Sequence, residues 1–232
     1  VPWFLICFYC TFGGYITKYL FESVQALFVK NSALNTGDPG ALFGGMINNV
    51  GNSVAWMTAF LVLTMVIVFG GVSGGIEKFC KIAMPALFFL LLAVVIRSCT
   101  LPGAGPGLKF LFYPDLTMWK TNFFDVVKLA GGQMFFSLSL ASGCIIAYGS
   151  YLGKKENLEA NAAIITVGDS LVAVLAGMAI MPAVFAFGLK PGGGPGLLFV
   201  SMTTVFQSMG TAGKLFQLAF WLLVFFAALS SS

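Results

Sequence analysis

Apolar residues in this chain come in long uninterrupted runs, and the polar residues collect in the gaps between them. A helix rises about 1.5 Å per residue, so about 20 apolar residues cross a hydrocarbon core of about 30 Å. Six runs meet that requirement or come close to it and predict spans over residues 1–29, 54–69, 76–98, 123–152, 160–188 and 214–232. The gaps carry turn chemistry: Gly37-Asp38-Pro39-Gly40, the run Gly70–Gly75, Pro102–Gly107, Gly153–Asn157 and Pro191–Gly196. Within the last of the long gaps, Leu197–Met209 predicts a short re-entrant helix. The connections alternate long, short, long, short, long, so all the short ones share one face. No segment shows the ten-residue alternation of a membrane β-strand. Helices pair their own backbone polar groups in lipid, and the expected fold class is an all-α membrane protein.

Composition agrees with the pattern. The 232 residues are 59 % hydrophobic and 9 % charged, against about 25 % charged in soluble domains, so lipid is the solvent this surface requires. The net charge of +4 forms no basic cluster with interleaved aromatics, which argues against a nucleic-acid partner. Histidine, the commonest metal ligand and general base, is absent. With no nucleophile–base pair either, an enzyme is not expected. The five cysteines lie in or beside apolar runs; Cys7 and Cys10 make a CxxC without a second pair and read as packing residues.

Charge also bears on orientation. The short-loop face carries Lys78, Lys81, Lys154 and Lys155, and the long-loop face Lys30, Arg97, Lys109, Lys120, Lys128, Lys190 and Lys214. Counting by the positive-inside rule favours a cytoplasmic long-loop face. The first run opens at Val1 and the last closes on Ser230-Ser231-Ser232, with no signal-peptide pattern; the expectation is a piece of a longer protein.

Three features could carry chemistry. Asp169 is the one acidic residue deep within the otherwise uncharged run 160–189, and an ionisable group there is a functional-site candidate by default. It either pairs with Lys18, the basic side chain at comparable depth, is held protonated, or ligates a hard cation through oxygen, with Ser137 as a second oxygen from the facing span. The second feature is FFSLSLASGC, residues 135–144, which places Ser137, Ser139, Ser142 and Gly143 in the middle of a span. Such a small-residue stripe is either a packing face or a helix break near 140–143, whose freed carbonyls would hold an ammonium or sodium ion and whose freed N–H groups would hold a carboxylate. The third is Ala227–Ser232, whose serines either bond back to their own helix or complete a sodium site. Tyr9 and the Phe135–Phe136 pair are packing residues unless they face a cavity.

The segments GGIEKFCKIAMP, TLPGAGPG, GGQMFFSLSLASGCIIAYGSYL, DSLVAVLAGMAIMP and FFAALSSS occur in this order over essentially the whole chain. Together they resemble the neurotransmitter:sodium symporter family, specifically its bacterial amino-acid transporters. The resemblance implies a partial inverted-repeat bundle corresponding to spans three to eight of eleven or twelve. It also implies a multi-pass protein of the plasma membrane, the bacterial inner membrane, with the short loops in the cytoplasm against the lysine count. It implies sodium-coupled symport of a neutral amino acid by alternating access, using two sodium sites only partly supplied by these residues. Tyr9 would bind the substrate carboxylate, Phe136 would lie over the substrate as a lid, and Gln133 would belong to the outer gate. The backbone at Ser139, Leu140 and Ala141 would face the substrate amine. Ser137 would ligate one sodium, while Ala227, Ser230 and Ser231 would supply half of the second site.

Two departures from the family pattern stand out. Asp169 occupies a position where many relatives carry Asn, and Ala173 stands where chloride-dependent relatives carry Ser; a fixed carboxylate would replace the anion, so no chloride requirement is expected. Ser142 stands where relatives often carry Phe or Met, which leaves room for a large hydrophobic or aromatic amino acid. The competing readings are a passive channel or pore, which needs no coupling to sodium, and a structural membrane subunit. The expected partners are the amino-acid substrate, membrane lipid and the remaining spans of the same protein.

Overall fold

The computed structural model describes residues 2–29, 32–71, 77–113, 116–140, 143–153, 156–188, 191, 194 and 196–231. Among them every regular element is helical: α1 (Pro2–Phe28), α2 (Ala33–Thr36), α3 (Pro39–Asn48), α4 (Val50–Phe69), α5 (Glu77–Cys99), α6 (Gly105–Phe112), α7 (Thr117–Thr121), α8 (Phe123–Ser137), α9 (Cys144–Ser150), α10 (Leu158–Ala186), a π-helical turn over Leu197–Ser201, α11 (Met202–Ser208) and α12 (Gly210–Ser231). Five of these, α1, α4, α5, α10 and α12, are long and apolar enough to cross a membrane. The run predicted over 123–152 is divided into α8 and α9.

The long gaps hold more helix than their turn residues suggested. Asp38 takes an extended backbone conformation, and its Oδ2 accepts from the Ala41 N–H at 2.7 Å, with Pro39 at the first helical position. That is N-cap and N1 chemistry, so the apparent turn is the start of α3. Asn49 then caps α4 through Oδ1 to the Asn52 N–H at 3.1 Å, which starts that helix four residues earlier than hydropathy alone indicates. α6 and α7 likewise occupy the gap between α5 and α8.

α1 packs between α4 and α12, α5 lies against α10 and α12, and α6 lies along α10. Glycine sets the closest approaches. A Cβ on Gly14 would stand 2.6 Å from the Met57 backbone nitrogen, and one on Gly107 would stand 2.6 Å from the Met181 carbonyl oxygen and Pro182 Cα. The α1–α4 and α6–α10 pairs therefore meet backbone to backbone, a geometry open only to small residues. The core centres on Phe199, which is fully buried by rings from three helices: Phe12, Tyr15 and Tyr19 of α1, Phe43 of α3 and Trp221 of α12, with centroids 4.9–6.2 Å away. The π-helical turn over Leu197–Ser201 thus supplies the centre of the bundle's aromatic core.

Candidate functional site

α8 stops for a local reason. Past its last residue, Ser137, the chain passes through Leu138 to Ser139, which has a φ of 53°. The Ser139 N–H donates to the Phe136 carbonyl at 3.2 Å and the Leu140 N–H to the Phe135 carbonyl at 2.9 Å. These paired bonds, with one residue in the left-handed region, are a Schellman motif. Glycine is the usual occupant; here a serine takes it. Gly143, with a φ of 87°, leads into α9 at Cys144. Ala141 and Ser142, expected to face the substrate, lie outside the described residues. The halves have 15 and 7 residues, or roughly 22 and 10 Å of helix, so neither crosses the membrane alone.

Phe136 and Ser137, consecutive residues of the last turn of α8, tie this half-helix to the rest of the bundle. The Phe136 ring lies parallel to that of Tyr9 on α1, centroids 6.4 Å apart. The Ser137 hydroxyl stands 2.8 Å from both carboxylate oxygens of Asp169 on α10. The two oxygen-bearing side chains suggested as cation ligands are therefore hydrogen-bonded to each other, and no ion pair among the described residues joins Asp169 to Lys18. Lys18 Nζ stands 3.6 Å from Glu22 Oε1 on its own helix. The i,i+4 spacing of those two residues on α1 was the signal for that pair.

Other expected site residues are arranged less tightly. The Ser230 hydroxyl donates to the Ala227 carbonyl at 3.0 Å, a bond within α12. No hydrogen bond among the described residues joins Ala227, Ser230 or Ser231 to Ser137 or Asp169. Gln133 is exposed on α8. Phe136 is 48 % exposed, and the faces of α8 and α10 around it are uncovered in this chain, so the cluster forms one wall of a site. Among the described residues no group of three His, Cys, Asp or Glu side chains could hold a metal. The oxygens available are the carboxylate, the hydroxyls and backbone carbonyls, which suit a hard cation such as sodium.

The family described as sodium:neurotransmitter symporter matches residues 22–232. This chain belongs to that family. Among its symporter relatives, an uncharacterized sodium-dependent transporter of Bacillus subtilis, YhdH, is 38 % identical over 98 % of this chain and 49 % of its own length. The sodium- and chloride-dependent GABA transporter 2 of Rattus norvegicus is 32 % identical over 49 % of this chain and 20 % of its own. Among solved structures, MhsT in complex with L-phenylalanine superposes with a TM-score of 0.85 at 41 % identity, covering 98 % of this chain and 50 % of that one. The symporter fold is thus present over nearly all of these residues, and the chain spans about half the length of the bacterial relatives it matches. Together with its apolar helices, this membership makes it a multi-pass membrane protein, and its bacterial relatives point to the plasma membrane.

Sequence reasoning missed several side chains that shape the site's surroundings. Gln217 of α12, buried, reaches Ser23 of α1 at 3.4 Å, and Gln207 of α11 donates to two carbonyls near α2. Neither glutamine sits in a pattern that distinguishes it from a surface residue. Only its burial or its partners, both set by tertiary structure, identify it.

Proposed function

We propose that this chain forms half of a sodium-coupled symporter for a neutral amino acid, working by alternating access. The observation that carries the reading is the Ser137–Asp169 contact at the end of a half-helix, with the Tyr9–Phe136 ring pair on the adjoining residue. A hydroxyl that donates its proton to a carboxylate keeps its lone pairs. A sodium ion seated at this pair would be met by a carboxylate oxygen and a hydroxyl oxygen without further rearrangement. The half-helix ends at 138–143 would receive the zwitterion, with carbonyls toward the amine and Tyr9 toward the carboxylate. Ala227, Ser230 and Ser231 would contribute to a second sodium site. Phe136 would cover the substrate, and Gln133 would close the outer side.

The Asp169 carboxylate supplies the negative charge that a chloride ion would otherwise bring, so transport is independent of chloride. The small Ser142 leaves space for a large side chain, in keeping with the phenylalanine held by MhsT. The test is uptake of radiolabelled amino acids into proteoliposomes holding the full-length protein. Accumulation is expected with an inward sodium gradient and not with potassium. It is expected to persist when gluconate replaces chloride, and to be competed better by tryptophan than by alanine. Equilibration without accumulation would favour a passive pore, a sharp fall on chloride removal would refute the charge argument, and preference for alanine would refute the pocket argument.

A further inference from the structure

α6 runs along the C-terminal end of α10 in a register set by close contacts at glycine. Gly103, in the turn before α6, lies against Ala186, Gly107 against Met181 and Pro182, and Leu111 against Gly177. Partner numbers fall as the α6 numbers rise, so the two helices are antiparallel and α6 descends along the last turns of α10. α10 has 29 residues, or roughly 43 Å of helix, which is close to the thickness of a bilayer with its headgroups. Glu159 and Asn161 keep its first turn at the short-loop interface. About 20 residues then cross the hydrocarbon core, and α10 enters the opposite headgroup layer near Met181. The register puts Gly107 at that boundary, the Gly103 turn above it and Phe112 just beneath it.

The face of α6 turned away from α10 has the composition such a boundary selects. Lys109, Phe112 and Tyr113 are exposed on it, Phe112 by 57 % and Tyr113 by 70 %. Lys109 Nζ stands over the Tyr113 ring, 5.4 Å from its centroid, and among the described residues no carboxylate pairs with it. Side chains lean toward the N-terminus of their helix. On α6 that direction is toward the headgroups, so the lysine stem covers apolar surface while its ammonium reaches the polar layer. Trp119 and Phe123, centroids 4.9 Å apart, add a second half-exposed ring pair where the same connection enters α8. Aromatic rings concentrate at membrane–water interfaces, and an ammonium with no protein carboxylate complements a phosphodiester. We propose that α6 is an interfacial anchor in the leaflet on the long-loop side. Phe112 and Tyr113 sink into the edge of the hydrocarbon, and the Lys109 ammonium holds a phospholipid phosphate. The anchor requires only that the protein sit in a bilayer, so it stands apart from the symport reading.

Spin labels test it in the full-length protein, freed of native cysteines and placed in phosphatidylglycerol vesicles. One nitroxide is attached at Gly105→Cys, where a built Cβ meets nothing within 4 Å, and in a separate variant at Phe112→Cys. Collisions with oxygen, which concentrates in lipid, and with a water-soluble nickel chelate report the depth of each. The Gly105 label is expected to meet the nickel chelate freely, and the Phe112 label to meet oxygen and little nickel. Free access of nickel to both labels would place α6 in water and overturn the anchor. Shielding of the Phe112 label from both reagents would show that the remaining spans cover this face, and would overturn it equally. The phosphate contact has its own readout. Adding Lys109→Glu to the Phe112-labelled protein should raise its nickel collisions about fivefold in phosphatidylglycerol, the factor one basic residue contributes at an anionic surface. In vesicles of a neutral glycolipid, which lacks phosphate, the two proteins should match. Equal nickel access with and without Lys109 in phosphatidylglycerol would refute the phosphate contact, as would the same fivefold difference in glycolipid.

Discussion

A single backbone angle at Ser139 separates a continuous helix from a divided one. With a φ of 53° its Cβ sits in a region that L-residues enter at a cost of roughly 1–2 kcal/mol. Serine tolerates the position better than a β-branched residue does, because a second group on Cβ crowds the neighbouring carbonyls. Ser139→Val should therefore lower stability by about 1–2 kcal/mol. A fall in the apparent unfolding midpoint of the full-length protein checks this. An unchanged midpoint would mean that the Schellman turn does not hold the break. The serine spacing left a packing face and a break near 140–143 both open, and it did not show which residue turns. That depends on two N–H donors finding the Phe135 and Phe136 carbonyls, a matter of geometry that composition does not encode.

At the level of elements, the glycines sort into those that let helices touch and those that merely weaken one. Gly14 stands against the Met57 backbone, which cannot yield, so Gly14→Ala should destabilise the α1–α4 pair by about 1–3 kcal/mol. Gly45 in α3 is exposed and has nothing within 4 Å of a built Cβ; Gly45→Ala should stabilise by roughly 0.5–1 kcal/mol. Opposite shifts in unfolding midpoint are the expected result, and shifts of the same sign would contradict the packing described. Sequence legibility divides along a similar line. The long helices were readable because hydropathy is set by the solvent, and α10 lies within two residues of its expected bounds. α2, α3, α6 and α7 were not, because short helices in long connections owe their existence to caps and to neighbours. Asp38-Pro39 carried a usable cap signal that resembles a turn signal when read alone. Phe199 looked like one apolar residue among many, and only the fold makes it the hub of the core.

For the molecule as a whole, the family motifs located Ser137 and Asp169 on facing helices 32 residues apart in sequence, and the fold brings them into contact. What they did not convey is that this pair and the adjacent Tyr9–Phe136 rings form an open wall, with the surfaces of α8 and α10 beside it uncovered. The break in α8–α9 has a consequence for topology. Among the described residues helix length alone finds five crossings, an odd number; the expected sixth span, over 123–152, requires α8 and α9 to cross together. Alkaline phosphatase fused after Tyr113 should then be active and the same fusion after Gly153 inactive, because α8 and α9 carry the chain across between them. Matching activities at the two sites would show that the chain turns back at the break. The matter is one of parity: omit the divided span, and α10, α12 and every connection between them are assigned to the wrong side of the membrane.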